Sequence, residues 1–358
     1  MLNLRRLAVE GARRILGACL ECRSQRTRIE GSSGWRMVGR CDHGVVVPFY
    51  RSRATWLMWL VIVCQLLPGQ TAGARQIAPR DALEEIRKAD FRVNAVAFRL
   101  LTANADLCSR KSPASGMLIH ALSDYPSRSR ADVGVGLALS RAPGVLAVAP
   151  GSPAALAGIH AGDLVVSLNG KELRPSTRSE TVRLQLAEAG RTGIVHVGIM
   201  HGMSIAAVTI KPLPACGYPV RLVRSRVVNA FANGRDVRIS TALVHRIVGD
   251  DELAILLAHE LAHDLLREGI VELPKGVSKC FEHGSSKERE EEADKLGLYL
   301  AARAGFEVAA ARPLWSTLSP HGIRALWSDH PGRKARLALA DKTIAAIDEA
   351  GAAVPPCP

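Results

Sequence analysis

Two histidines four residues apart constrain this chain more than any other feature, in the run His259-Glu260-Leu261-Ala262-His263. Residues at i and i+4 of an α-helix project from one face about a turn apart, so both imidazoles reach toward one point. That is how a helix offers two ligands to a divalent cation while the carboxylate beside them, Glu260, stays placed as a base toward water. The surrounding pattern supports a helix: Leu253, Leu256, Leu257, Leu261 and Leu265 recur at helical spacing, Asp250 or Asp251 can cap the start, and Gly269 can stop it. The spacing predicts one buried side and a rigid mount for His259, Glu260 and His263.

A third ligand must come from another element, leaving one position open for chemistry. The sequence Ser285-Ser286-Lys287-Glu288 reads as a capping box that opens a second helix, running to about Arg303 before Gly305. This helix carries Glu290-Glu291-Glu292-Ala293-Asp294, in which Glu290 and Asp294 lie one turn apart on the same side. Spacing leaves open which of Glu290, Glu291 and Glu292 would bind a cation. The metzincin pattern is absent, because Leu266 and Gly269 stand where its glycine and third histidine belong. Two histidines with a carboxylate from a separate helix remain. Upstream, residues 227–231 and 237–240 flank an Asn233-Gly234 turn and read as a hairpin. The strand near Val237 to Ser240 is expected at the sheet edge, where an extended substrate can bind. Pro313 to Ser328 is expected as a lid over the cleft, while Trp315 and Trp327 read as packing residues.

A formal net charge of +13 suggests nucleic acid until it is divided along the chain. Residues 1–74 hold eleven arginines, no lysine and four acidic residues, a net +7, which leaves +6 over the other 284. With aromatic residues at 4%, no basic stripe is interleaved with stacking rings, and a nucleic-acid partner is excluded. Arg51 and Arg53 precede the apolar run 56–67, followed by Pro68-Gly69 and Ala72-Gly73-Ala74. A basic flank, a short apolar core and a small-residue site read as a secretory signal peptide cleaved after Ala74. The run is shorter than the roughly 20 residues that span a membrane. The expected location is therefore periplasmic, with membrane contact only if the leader is retained. Residues 1–36 carry no folding pattern, and Cys19 with Cys22 makes no zinc site without a second pair. The mature chain keeps Cys108, Cys216, Cys280 and Cys357, an even number in an oxidising compartment, with three pairings open. One of them, Cys108 with Cys216, would clamp the neck of the segment between them.

Downstream of the leader, apolar residues from Leu83 to Leu101 recur at helical spacing and predict one long amphipathic helix over about 81–105. Residues 131–214 change texture, with short β-rich segments, many glycines and one marked helix. They contain Gly151-Ser152-Pro153-Ala154-Ala155 and, further on, Ala157-Gly158-Ile159, Gly162-Asp163-Leu164-Val165 and Asn169-Gly170. This succession resembles a PDZ domain of the kind carried by bacterial envelope proteases. The resemblance implies a groove that adds an extended peptide to a sheet edge, with backbone amides receiving its terminal carboxylate. It places those amides at Gly134, Val135, Gly136 and Leu137, after which a strand is expected, and the groove's helical wall at Thr181 to Glu188. His160 and His196 receive no metal role.

Asn229-Ala230-Phe231, the His259 to His263 run, Glu290 with Asp294 before Leu296-Gly297, and Asp329-His330-Pro331 with Arg336 together resemble metallopeptidase family forty-eight. That family includes CAAX-prenyl and HtpX-type membrane proteases and soluble periplasmic members. The resemblance implies His259, His263 and Glu290 as ligands of one zinc ion per chain and Glu260 as catalytic base. It also implies Asp294 and Arg336 as supports behind the ligands, and His330 as a catalytic residue near the metal. The expected fold is α+β: a mainly helical zincin-like domain of the gluzincin type with a small hairpin or sheet, plus the β-rich PDZ domain. The expected order is leader 1–74, helical segment 75–130, PDZ 131–214, peptidase 215–350 and tail 351–358. The expected function is zinc-dependent endopeptidase action on unfolded envelope polypeptides in protein quality control, with a peptide C-terminus in the PDZ groove. The alternatives are a PDZ-based adaptor or chaperone with a structural metal, and an aminopeptidase.

Overall fold

The computed structural model describes residues 24–27, 36–39, 79–137, 139–140, 142–267, 285–317 and 332–352. The signal-peptide run 56–67, the Ala74 site, residues 318–328 of the expected lid, Trp327, His330, Cys280 and Cys357 lie outside them. The chain divides into two units, Met1–Gln76 and Ile77–Pro358. In the first, strands Ser24–Thr27 and Arg36–Gly39 pair antiparallel. The second unit holds the remaining elements. No helix among the described residues is long and apolar enough to cross a membrane.

The second unit opens with α1 (Pro79–Ala103). Ala89, Val93, Val96 and Leu100 recur every three or four residues and are buried, the stripe expected of a helix laid on a core. Arg92 on this helix donates to the carbonyls of Ile247 at 2.6 Å and Val248 at 3.0 Å and pairs with Asp250. This contact ties α1 to the start of the helix that carries the histidines. Buried Asn104, just past α1, donates to Leu100 and Leu300 carbonyls at 2.8 and 3.0 Å and accepts from Arg303.

After α1 come β1 (Lys111–Ala114), β2 (Met117–His120), α2 (Arg130–Gly136), β3 (Gly144–Val148), α3 (Pro153–Leu156), β4 (Leu164–Leu168), β5 (Lys171–Glu172), α4 (Ser179–Gly190), β6 (Val195–His201), β7 (Ser204–Ile210) and β8 (Leu213–Cys216). One sheet runs β2-β3-β4-β6-β7, with β5 pairing β4. Its core of Met117, Ile119, Val145, Val165, Val182, Leu186, Val195 and Val197 is covered by α4. The sheet takes its first strand from residues upstream of the expected boundary at 131. Strands β1 and β8 pair antiparallel as the stem through which the chain enters and leaves this domain. The Cys108–Cys216 disulfide closes that stem across a separation of 108 residues.

Gly134, Val135, Gly136 and Leu137 depart from the sequence expectation. They form the end of α2 and the residue after it, not an open loop leading into a strand. The Leu137 amide donates to Val133 and the Leu139 amide to Gly134, both at 2.9 Å, so these donors are spent inside the turn. The Gly136 glycine has a packing cause: an added Cβ would lie 2.7 Å from Leu83 Cδ1 of α1. The expected wall, Thr181 to Glu188, does lie within α4.

The remaining elements are β9 (Val220–Val223), β10 (Ala230–Ala232), β11 (Val237–Ser240), α5 (Thr241–Val244), α6 (Asp250–Arg267), α7 (Ser286–Arg303), α8 (Ala311–Thr317) and α9 (Arg333–Ala350). The sheet order is β9-β11-β10, parallel then antiparallel. Val237 to Ser240 is thus the central strand, and the edge expected there belongs to β10. Its central place follows from β9, which pairs with the side of β11 that the hairpin leaves open. Residues Leu253 to Ala262 are buried all round, where the pattern had suggested one buried side. Such a helix sits in the middle of its domain, with α1, β10, α7, α8 and the sheet around it.

Half-buried Asp90 on α1 lies near Arg224 and Tyr125, and burial pushes its pKa up to about 6 against a partial offset from Arg224. A raised carboxyl pKa contributes stability below about pH 4 that is lost as pH rises through about 6. Asp90→Asn is therefore expected to raise stability by about 1–2 kcal/mol at pH 8 and to leave it unchanged below about pH 4. Thermal unfolding of both proteins across that range checks this, and a gap independent of pH would contradict it.

Candidate metal centre

The first two candidate ligands stand on the middle of α6, and the carboxylates come from α7. That second helix begins as its sequence requires: Ser285 Oγ accepts from the Glu288 amide while Glu288 accepts from the Ser285 amide at 2.6 Å. Leu296 to Ala301 are buried without a break, which sets the second half of α7 inside the shared core. Gly297 sets the separation of the two helices. A Cβ there would stand 2.9 Å from the His259 backbone nitrogen and 3.0 Å from its Cα, so only glycine lets α7 lie this close to α6. The close approach carries Asp294 and Glu290, about one and two turns back along α7, to the two histidines.

His259 Nε2 and His263 Nε2 lie 3.1 Å apart, and Glu290 Oε2 lies 3.5 Å from the first and 3.3 Å from the second. Three atoms bonded tetrahedrally at 2.0–2.1 Å to one zinc ion would be separated by about 3.3 Å. The observed triangle has that size. These three are the one group of ligand-type side chains close enough to hold a cation among the described residues. Glu291 and Glu292, left open by spacing, are not in the group. The site fits a zinc ion by donor type as well as by dimension.

Behind the triangle, His259 Nδ1 lies 2.9 Å from Asp294 Oδ1. A carboxylate there holds Nδ1 as the donor and leaves Nε2 with its lone pair toward the triangle. Asp294 is in turn gripped by Arg336 of α9, through Nε to Oδ2 at 2.7 Å and through Nη2 to Oδ1. Burial works against the Asp294 charge, but Arg336 and His259 outweigh it and hold its pKa below the usual carboxylate range. Burial likewise disfavours a charged His259, yet hydrogen bonding to Asp294 and Glu290 outweighs it and pushes the pKa up to about 9 in the absence of a metal. A bound cation competes with that proton for the same lone pair. Glu260, between the two ligands on α6, is buried.

The structure thus brings together His259, Glu260, His263, Glu290, Asp294 and Arg336. His330 lies outside the described residues. Trp315, read from sequence as packing or part of a lid, is 4% exposed on α8. Its ring lies under the Arg336 guanidinium at 3.6 Å and edge-on to His259 at 6.2 Å between centroids. The described start of the expected lid, residues 313–317, is therefore packed helix. A residue that sequence reasoning passed over is Asp264, fully buried on α6. Its signal was an acidic side chain among leucines, one position past His263.

Residues 199–281 match Peptidase family M48, and residues 144–191 match the PDZ domain. The first match takes in β10, β11 and α6 and ends before α7, so the carboxylates join the site through the fold. No curated protein matches the chain. Among solved structures, the HtrA3 PDZ domain bound to a phage-derived ligand is 19% identical, over 29% of this chain and 89% of that chain, with a TM-score of 0.24. The family M48 segment implies metallopeptidase activity, and the PDZ segment implies peptide binding.

The Gly297 contact is testable by the smallest addition to it. Gly297→Ala forces α7 away from the His259 backbone and is expected to weaken zinc binding by about tenfold, because the carboxylates retreat with the helix. Competition with a chromophoric chelator measures this; unchanged affinity would show that the close approach does not set the ligand triangle.

Proposed function

We propose that this chain is a zinc-dependent endopeptidase acting on unfolded polypeptides in an exported, oxidising compartment. The observation that carries the reading is the triangle of His259 Nε2, His263 Nε2 and Glu290 Oε2, with sides of 3.1 to 3.5 Å. A zinc ion held there supplies a Lewis acid that makes water a nucleophile near neutral pH and polarises the scissile carbonyl. Glu260 accepts the proton of the attacking water and delivers it to the departing amine. Asp294 keeps His259 in the tautomer that offers Nε2 outward, and Arg336 with Trp315 keeps Asp294 in place.

The substrate lies extended along β10, the end strand of its sheet, which packs against α6. Backbone pairing at a sheet edge is indifferent to side-chain identity, which suits broad sequence tolerance and requires an unfolded chain. Phe231 on β10 is 40% exposed and offers that chain an apolar neighbour. In the PDZ domain a peptide C-terminus enters between β2, the end strand of the larger sheet, and α4, which packs beside it. With Gly134 to Leu137 folded into α2, the receiving amides belong to the turn at Ser115 and Gly116 that leads into β2. The leader and the Cys108–Cys216 disulfide support export, since disulfides persist in oxidising compartments.

The decisive variant is Glu260→Gln in the full chain, assayed on an unfolded protein with zinc content measured in parallel. Zinc is expected to stay bound while cleavage falls at least about a hundredfold. A variant that cuts as fast as the parent would overturn the assignment of Glu260 as catalytic base, whereas a parent chain that binds zinc and cuts nothing would leave the adaptor reading with a structural metal. Acetylated peptides test the endopeptidase assignment, because an aminopeptidase would not cut them.

A further inference from the structure

Gly234, in the turn between β10 and β11, is held from two sides. Its amide donates to Asp264 Oδ1 at 2.6 Å, and its carbonyl accepts from Arg110 Nη2 at 3.2 Å. The turn between these grips is internally braced: Asn233 Oδ1 accepts from the amides of Arg235 and Asp236 at 2.9 and 3.0 Å, and Asn233 Nδ2 donates to Asp236 at 2.6 Å. It therefore moves as one piece, and Gly234 at φ +81 supplies the left-handed residue it needs.

Asp264 follows His263 on α6 and is fully buried. Burying a carboxylate is unfavourable unless it is hydrogen-bonded. What an apolar residue would not supply is an acceptor for the Gly234 amide. Arg110 stands at the opposite side, in the stem of the PDZ domain, with its guanidinium over the Tyr218 ring at 4.1 Å and its carbonyl accepting from Gly217 at 2.7 Å. The Cys108–Cys216 disulfide flanks it.

We infer that Asp264 is a positioning residue for substrate: by holding the Gly234 turn it fixes where the edge strand β10 stands relative to α6, and so where an extended polypeptide lies relative to Glu260. Arg110 braces the same turn from the PDZ stem. The inference rests on the proposed function, in which substrate pairs with β10. Ala232, the last residue of β10, is two positions from Gly234, so little slack separates the grip from the strand.

The experiment uses the full, zinc-loaded chain with fluorescein-labelled β-casein as the unfolded probe, and measures kcat, KM, zinc affinity and thermal unfolding for each variant. Asp264→Leu keeps the bulk and removes the acceptor; KM is expected to rise about tenfold with kcat and zinc affinity within about twofold of the parent. Asp264→Asn keeps an oxygen for the Gly234 amide and is expected to restore KM to near the parent value. If the leucine variant does not fold, Arg110→Gln, which loosens the turn from outside the core, is expected to raise KM about threefold. An unchanged KM, or a loss of kcat and zinc together at constant KM, would overturn the inference, the latter marking Asp264 as a support of the metal helix. A Glu260→Gln protein that cuts casein as fast as the parent would defeat the proposed function instead, whatever the Asp264 variants do to KM.

Discussion

The contact between His259 Nδ1 and Asp294 is the joint on which the rest depends, because it fixes a ligand from α6 by a group from α7. An imidazole on a helix can rotate about two bonds and exchange its proton between two nitrogens. Asp294 removes both freedoms, and Arg336 removes the same freedom from Asp294 in turn. The arrangement is self-consistent electrostatically: Asp294 is buried with Arg336, both almost without exposure, so neither charge is stranded in the core. Glu290 then shares its helix with a fixed partner, and its carboxylate meets the two Nε2 atoms without further adjustment.

Around that joint the fold is arranged in shells of decreasing burial. The helix α6 is enclosed by apolar side chains, with Leu253, Leu257 and Leu261 essentially inaccessible, each stabilising the fold by about 1.5–3 kcal/mol. Beyond it stand α1, locked to the start of α6 by Arg92, and the short sheet ending in β10. The PDZ domain enters through the disulfide-closed β1 and β8 stem. Arg110 makes that stem touch the hairpin turn, which joins the PDZ domain to the sheet that packs on α6.

Much of this was legible in the sequence where local chemistry and tertiary demand coincide. The His259 to His263 spacing, the Ser285 and Glu288 capping box and the Asn233-Gly234 turn each specify their own geometry within a few residues. What depended on distant partners was not legible. Nothing near Val237 to Ser240 announces that β9 will pair on its far side and make it central. The glycine at 136 reads as part of a loop because its reason for being small is Leu83, some fifty residues upstream on α1. Glu290 could not be told from Glu291 and Glu292 by chemistry, only by which of them the Gly297 approach turns toward α6. Asp264 shows the same limit: its partner is a backbone amide thirty residues away.

X-ray absorption at the zinc edge of the purified full chain tests the central claim most directly. The ligand triangle should give about one zinc per chain, with two imidazole nitrogens and carboxylate oxygen at 2.0–2.1 Å and no sulfur shell. A spectrum dominated by sulfur near 2.3 Å, or one without the imidazole scattering pattern, would contradict it.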